Sequence, residues 1–464
     1  MNRNILKRNS LRMLAAAAIL VVGFGALLWG KRNDFGLGRN IEIAVNMMRE
    51  LSLYYVDEVD PDRLMEGAAE GMVSDLDPYT EYMPEERMSS FELLTTGKYG
   101  GVGALIRQKG DYVIIAQPYK DSPADRAGLK IGDRIVAIDG EDARGFTTDK
   151  VSARLKGAPG STVRVTVERL LDGRREEVTL RRERIAIPAV PYAGWLNDSI
   201  GYIQHSDFTD GCYEEVRAAV ERLRAEGNLR GLVLDYRGNG GGIMQEAVKI
   251  LSMFVPKGTE VVATHGRTEQ KSYRTQSEPI LAELPLAVLV NGNTASAAEI
   301  VSGALQDLDR AVLIGQKSFG KGLVQSTRPL GYNAYLKLTT AKYYIPSGRC
   351  IQAIDYSHSQ QGEVKSVPDS LIREFRTAAG RKVYDGGGIM PDIRTEPEYI
   401  SRFAATLYAL GFVEDFVDDY MRSHAGEPFH LMEFALDSAT YDRFADFMKD
   451  KKVPYESELS LIHI

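Results

Sequence analysis

A multidomain α/β protein is predicted, and three observations predict it. From Ser199 onward, apolar runs alternate with amphipathic stretches, the pattern of a mostly parallel sheet covered by helices. Between about Phe91 and Arg184 the texture changes to short alternating strands punctuated by glycines. Ahead of and behind these regions, Ile41–Tyr55 and the stretch beyond Ile393 carry helical spacing. With 464 residues, 44% hydrophobic and 26% charged, the chain has room for two or three domains of ordinary globular composition. A net charge of −7 argues against a nucleic-acid partner. Cys212 and Cys350 are too few for a disulfide framework and read as unpaired core residues, a bridge between them staying open. None of the six histidines stands at metal-ligand spacing to them, so no metal or other cofactor is expected.

Taken in order, Arg3, Lys7, Arg8 and Arg12 precede an apolar run from Met13 to Gly30. This is a signal peptide or a membrane anchor. The run ends Leu27-Leu-Trp-Gly30 without small residues for cleavage, and Lys31 and Arg32 follow. An uncleaved anchor is therefore expected, with the positive residues inside and the body exported to the cell envelope, that is, the periplasmic face of an inner membrane. Ile41, Ala44, Val45, Met48, Leu51 and Tyr55 then share one helical face, and Asp60-Pro61 starts a second helix. Such an arm has no core of its own. It buries its apolar face against the body or against a second copy, which makes a homodimer through the arm the expected assembly.

In the strand-rich region, Tyr99-Gly-Gly-Val-Gly-Ala-Leu-Ile106 followed by Asp121-Ser-Pro-Ala and Gly132-Asp-Arg-Ile-Val-Ala-Ile-Asp-Gly140 resembles a PDZ domain. Gly101, Val102, Gly103 and Ala104 would form a loop whose N–H groups cradle a terminal carboxylate, beside a strand edge that pairs with the incoming peptide. A β-bulge or hairpin turn is the plainer explanation of the glycines alone. Val163–Leu170 and Glu177–Arg184, joined across Leu171–Arg174, read as a hairpin closing the module.

The alternating region opens with Gly201–His205, an amphipathic stretch Tyr213–Arg224, and the buried strand Arg230–Arg237. The strand ends in Asp235-Tyr-Arg-Gly-Asn-Gly-Gly-Gly242, a glycine loop opening on another helix. A dinucleotide or phosphate loop is disfavoured, because Ile243 stands where a third glycine belongs and no Gly-Lys-Ser/Thr follows. Next come the apolar strand Leu286–Asn291 and a helix from Ala297, with Ser296 at the corner. That corner exposes a hydroxyl and aims free N–H groups at whatever the hydroxyl attacks. Ser296-Ala-Ala-Glu299 fits a plain capping box equally well. After the run Ala311–Gly315, Lys321 lies between two glycines that allow close backbone approach. Phe319 and Leu323 are placed to desolvate its amine, and Lys317 to add like charge, so that a neutral amine could take a proton from Ser296. A solvated surface lysine is the commoner fate.

Asn-Thr-Ala-Ser296-Ala-Ala-Glu together with Phe-Gly-Lys321-Gly-Leu-Val-Gln325 resembles the serine-lysine site of the C-terminal processing peptidases, or tail-specific proteases. The likeness runs from about Ile41 to Ile393. It implies a crotonase/Clp-protease-like sheet-and-helix core with an inserted PDZ domain and helical N- and C-terminal segments. It implies Ser296 as nucleophile, Lys321 as general base and Gln325 orienting the lysine. By the same likeness Asp235–Gly242 lends the N–H of Gly241 to an oxyanion hole whose other donor is the N–H of Ala297, worth roughly 3 kcal/mol each. The expected division is 1–32 anchor or signal, 33–88 helical arm, 89–184 PDZ domain, 185–395 peptidase core and 396–464 helical extension.

The implied activity is a serine endopeptidase that captures the C-terminus of an unfolded or partly folded exported protein before cutting it. No histidine has a motif around it, and His205 and His265 read as structural, which disfavours a serine triad. The PDZ module and exported location disfavour an acyl-CoA enzyme of the same architecture. A non-catalytic envelope adaptor or chaperone is the remaining alternative, against which stand the intact Ser296, Lys321, Gln325 and glycine loop.

Overall fold

The computed structural model describes residues 36–87, 95–355, 365–366, 369–397, 399–427 and 435–453. Its centre is a sheet in the spatial order Tyr192–Trp195, Ile200–Gln204, Gly231–Asp235, Leu286–Val290, Val312–Gly315, Ile393–Arg394. The first pair is antiparallel and the rest are parallel. Helices Cys212–Glu226, Met244–Leu251 and Ala297–Asp307 supply the crossovers between these strands, so the strands are covered and read as unbroken apolar runs. Every residue of Ala297–Asp307 is buried. Val288, Leu234, Val301 and Leu305 are fully buried in the same core.

A second, antiparallel sheet flanks this core. It runs Glu81–Met83, Ala334–Tyr344, Glu260–Gly266, Gln270–Arg274, with Leu323–Gly331 also pairing with Ala334–Tyr344. The strand Glu81–Met83 thereby stitches the N-terminal arm to residues some 250 positions later, Tyr82 pairing with Leu336.

The inserted module has its own sheet, Ala104–Lys109, Tyr112–Pro118, Arg134–Ile138, Thr162–Glu168, Arg175–Arg181, and its own core around Val113, Leu129, Ile135 and Val165. The predicted closing hairpin is present as Thr162–Glu168 and Arg175–Arg181, its strand ends lying one to three residues nearer the N-terminus than expected. Glu183–Ala186 is a separate strand, which pairs antiparallel with Lys98–Gly101. Chain entry and exit are thus zipped together as a two-stranded ribbon.

The arm is helical over 36–54 and again over Pro61–Val73, where the Asp60 carboxylate caps the N–H groups of Asp62 and Arg63. Among the described residues nothing covers one face of the first helix: Ile41, Val45 and Leu51 are exposed. The C-terminal extension forms helices Arg402–Ala409, Phe412–Ser423 and Ser438–Met448. It packs on the inserted module. Glu414 pairs with Arg107, Asp415 and Asp418 with Lys109, and Arg422 Nε donates to Leu170 O at 3.0 Å.

The expected anchor, Met13–Gly30, lies outside the described residues, and so does most of the polar stretch Tyr356–Pro368. Among the described residues no helix is long and apolar enough to cross a membrane. Both cysteines are free thiols, Cys212 buried.

Candidate active site

Ser296 stands between strand Leu286–Val290 and helix Ala297–Asp307, with φ 54° and ψ −118°. A non-glycine residue held at positive φ on a strand-to-helix corner is strained, and such strain persists only where the surroundings enforce it. The enforcement is visible. Thr294 Oγ1 donates to Tyr236 O at 2.8 Å, Ala295 N donates to Asn239 O at 2.9 Å, and Gly238 N donates to Asn291 Oδ1 at 3.0 Å. The corner is therefore sewn to the glycine loop beside it. Ser296 and Glu299 form a capping box, in which the Glu299 carboxylate accepts the Ser296 N–H at 2.8 Å.

Glu299 does more than cap. The carboxylate oxygen that accepts from Ser296 N also accepts from Lys321 N at 2.8 Å, and its other oxygen accepts from Gly320 N at 2.7 Å and from the Ser318 hydroxyl at 2.5 Å. Burial pushes this carboxyl up to about 7, against four donors that favour its charged form. On the opposite side the buried Tyr343 hydroxyl lies between Ser296 O, 3.1 Å away, and Lys321 O. One carboxylate and one phenol thus fix the backbone of Ser296 relative to that of Lys321. The glycines around Lys321 answer a real approach. A Cβ on Gly320, which has φ +87°, would meet Ala353 at 2.5 Å, and one on Gly322 would meet Gln352 N at 2.8 Å.

Ser296, Ala297, Gly241, Lys321 and Gln325 line one cleft of about 630 Å³. Ser296 Oγ and Lys321 Nζ share it without a hydrogen bond to each other. The Lys321 amine instead lies 4.1 Å from the centre of the Tyr79 ring. Burial depresses its pKa, Lys337 adds to the fall, and Asp77 and Glu299 oppose it. This corrects two sequence expectations. Phe319 is half exposed and lies outside the lining of the cleft, and the like charge comes from Lys337 on the neighbouring strand, not from Lys317. Gln325 Nε2 donates to Thr339 Oγ1 at 3.2 Å, so its reach to the lysine is not made here.

The expected oxyanion donors differ in state. The Ala297 N–H heads the helix with no partner among the described residues. The Gly241 N–H donates to Asn239 Oδ1 at 2.8 Å, so this donor, predicted as free, is engaged within its own loop. The loop still lies against the nucleophile corner, because a Cβ on Gly241 would meet Ala297 N and Ser296 Cβ at 2.7 Å. In the inserted module, Val102 O accepts from Ala124 N and Gly103 O from Tyr119 N, each at 2.9 Å. These bonds fix the Gly101–Ala104 loop beside strand Ala104–Lys109, one edge of which is unpaired among the described residues.

His205 is excluded as a base by its surroundings. It is fully buried against Phe208, ring centroids 4.5 Å apart, and burial pushes its pKa down to about 4. Sequence reasoning gave Tyr343, Tyr79 and Lys337 no role in the site, although Tyr79 lies in the turn Leu76–Thr80 and Tyr343 in the stretch Thr339–Ile345, both of which resemble parts of the family pattern. It saw Glu299 only as a cap.

Comparison with known proteins agrees with this architecture. Residues 199–357 match Peptidase family S41, residues 114–169 a PDZ domain, and residues 39–87 the Activating protease CtpB N-terminal domain. The chain is 37% identical over 305 residues to a carboxy-terminal-processing protease of Bartonella bacilliformis, covering 65% of this chain and 70% of the relative. It is 33% identical over 338 residues to the carboxy-terminal processing protease CtpA of Bacillus subtilis, covering 73% and 72% respectively. Among solved structures, a photosystem II D1 C-terminal processing protease matches at 26% identity and TM-score 0.40, over 77% of this chain and 87% of that one. The chain belongs to the C-terminal processing peptidases of peptidase family S41.

Proposed function

We propose that this protein is a serine endopeptidase of the cell envelope in which Ser296 is the nucleophile and Lys321 the general base. The observation that carries the reading is the shared cleft in which one carboxylate and one phenol tie the backbones of Ser296 and Lys321 together, with the lysine amine depressed by burial. Ser296 Oγ attacks the scissile carbonyl carbon as its proton passes to Lys321 Nζ, and Lys321 returns that proton to the leaving amine. Water then attacks the acyl-enzyme by the same relay. The Ala297 N–H and an N–H of the glycine loop stabilise the oxyanion, the Gly241 N–H serving once it leaves Asn239. Gln325 contacts the lysine when substrate tightens the cleft.

In this reading the inserted module selects substrates by their ends. A free C-terminus enters the Gly101–Ala104 loop and its chain pairs with the edge of Ala104–Lys109. Amidating the C-terminus of an unstructured test protein should therefore weaken binding at least about tenfold, since a set of charge-assisted hydrogen bonds is lost. Fluorescence-anisotropy titration of free-acid and amidated tails onto the Ser296→Ala protein reads this directly, and equal affinities would remove the module from selection.

The exposed face of the first arm helix is assigned to a second copy of the chain, since a stripe containing Ile41, Val45 and Leu51 is costly in water. Val45→Glu with Leu51→Glu should convert a dimer to a folded monomer by light scattering. An unchanged mass would refute the assignment. The N-terminal run Met13–Gly30 holds the protein at the membrane, with the catalytic body outside the cytoplasm.

A further inference from the structure

The turn that joins the arm to the body, Leu76-Asp-Pro-Tyr-Thr80, reaches the proposed base. Asp77 Oδ1 accepts from Tyr79 N at 2.9 Å and from Thr80 N at 3.0 Å, which holds the turn in shape. The same oxygen accepts from Thr339 Oγ1 at 3.0 Å, and Thr80 Oγ1 accepts from Thr339 N at 3.1 Å. Strand pairing of Glu81–Met83 with Ala334–Tyr344 continues the attachment. The turn is thus bolted to the strand that carries Lys337 and Tyr343, and its aromatic residue is delivered to the Lys321 amine at 4.1 Å.

Two observations give this contact a meaning. An ammonium over an aromatic face is attracted by the ring quadrupole, and a neutral amine is attracted far less. The Lys321 amine meets that ring while making no hydrogen bond to Ser296. We propose that Tyr79 is a positioning residue for Lys321, which holds the amine as a cation in a resting place that the amine must leave to reach Ser296. The proposal rests on Lys321 being the general base.

The groups that face the amine decide how the contact is read. Lys337 on strand Ala334–Tyr344 disfavours its charge, and Asp77 on the turn and Glu299 on the serine helix favour it. The Tyr343 phenol lies on the backbone side, bonded to Lys321 O, and titrates far above the working range. Replacing the ring with an apolar side chain of similar bulk keeps the desolvation and removes the quadrupole. Tyr79→Leu should accordingly move the acid limb of kcat/KM down by about half a pH unit, a roughly threefold gain in activity on the acid side of the midpoint. Tyr79→Phe should restore the wild-type limb.

The test is the pH profile of the full-length protein cutting an unstructured protein, for wild type, Tyr79→Leu, Tyr79→Phe and Lys321→Ala. Tyr79→Met repeats the measurement with a flexible side chain should Tyr79→Leu fold poorly. A downward shift in Leu or Met with none in Phe supports the proposal. An unmoved limb in Leu and Met, with Lys321→Ala inactive, overturns the proposal and leaves the base assignment standing. An active Lys321→Ala overturns both.

Discussion

Lys321→Ala, Lys321→Arg and Ser296→Ala are each expected to lower peptidase activity by at least about a thousandfold, measured as cleavage of an unstructured protein. The arginine variant fails because a guanidinium stays charged and accepts no proton. The double variant should be no worse than either single one, since nucleophile and base act as a unit. On the proposed mechanism the active form of the wild type is the neutral amine. Its pKa is depressed, so activity should rise with pH through a midpoint below that of an ordinary lysine and hold above it. Thermal stability should hardly change in Lys321→Ala, because the amine makes no hydrogen bond or ion pair among the described residues. Cleavage by Lys321→Ala at more than a few per cent of wild type would refute the serine-lysine reading.

The second large effect concerns stability. Arg349 and Asp307 are both almost completely buried and meet at 2.8 Å at the C-terminal end of the serine helix. The guanidinium also donates to Gln306 Oε1 at 2.7 Å and to Tyr384 O at 3.1 Å, and Asp307 Oδ2 accepts from Ser347 N at 3.0 Å. Arg349→Met should cost about 3–5 kcal/mol, because it leaves a buried carboxylate without its counter-charge. Arg349→Met combined with Asp307→Leu should recover much of the loss, an apolar pair being tolerated where a lone charge is not. Denaturant unfolding followed by far-ultraviolet circular dichroism measures both. A loss below about 1 kcal/mol in Arg349→Met would show that the pair is reached by water.

The strand-helix alternation, the inserted module and the Ser296 corner could be read from the sequence because each has a local signal: an apolar run, a glycine pair, a cap. The residues that join Ser296 to Lys321 could not. Tyr343 is one aromatic in an ordinary strand, and only the pairing of Ala334–Tyr344 with Leu323–Gly331 and Glu81–Met83 brings its phenol under two distant carbonyls. Tyr79 reaches the cleft by the same long-range pairing. Glu299 was visible, but a capping box predicts one acceptor bond, and the other three depend on where the chain returns at 318–321. The placement of Phe319 failed for the complementary reason. Adjacency in sequence to Lys321 suggested shielding, while the turn through Gly320 carries that ring outward.

Two attachments of the inserted module, among the described residues, differ in kind. The ribbon of Lys98–Gly101 with Glu183–Ala186 is a backbone ladder, indifferent to salt. The grip of helix Phe412–Ser423 on Arg107 and Lys109 is made of charges, of which the more exposed pairs, Arg107–Glu414 and Lys109–Asp415, weaken as ions screen them, while Lys109–Asp418 is largely buried. Raising the ionic strength should therefore loosen the second attachment before the first, at Ala104–Lys109, the strand proposed to receive a substrate tail.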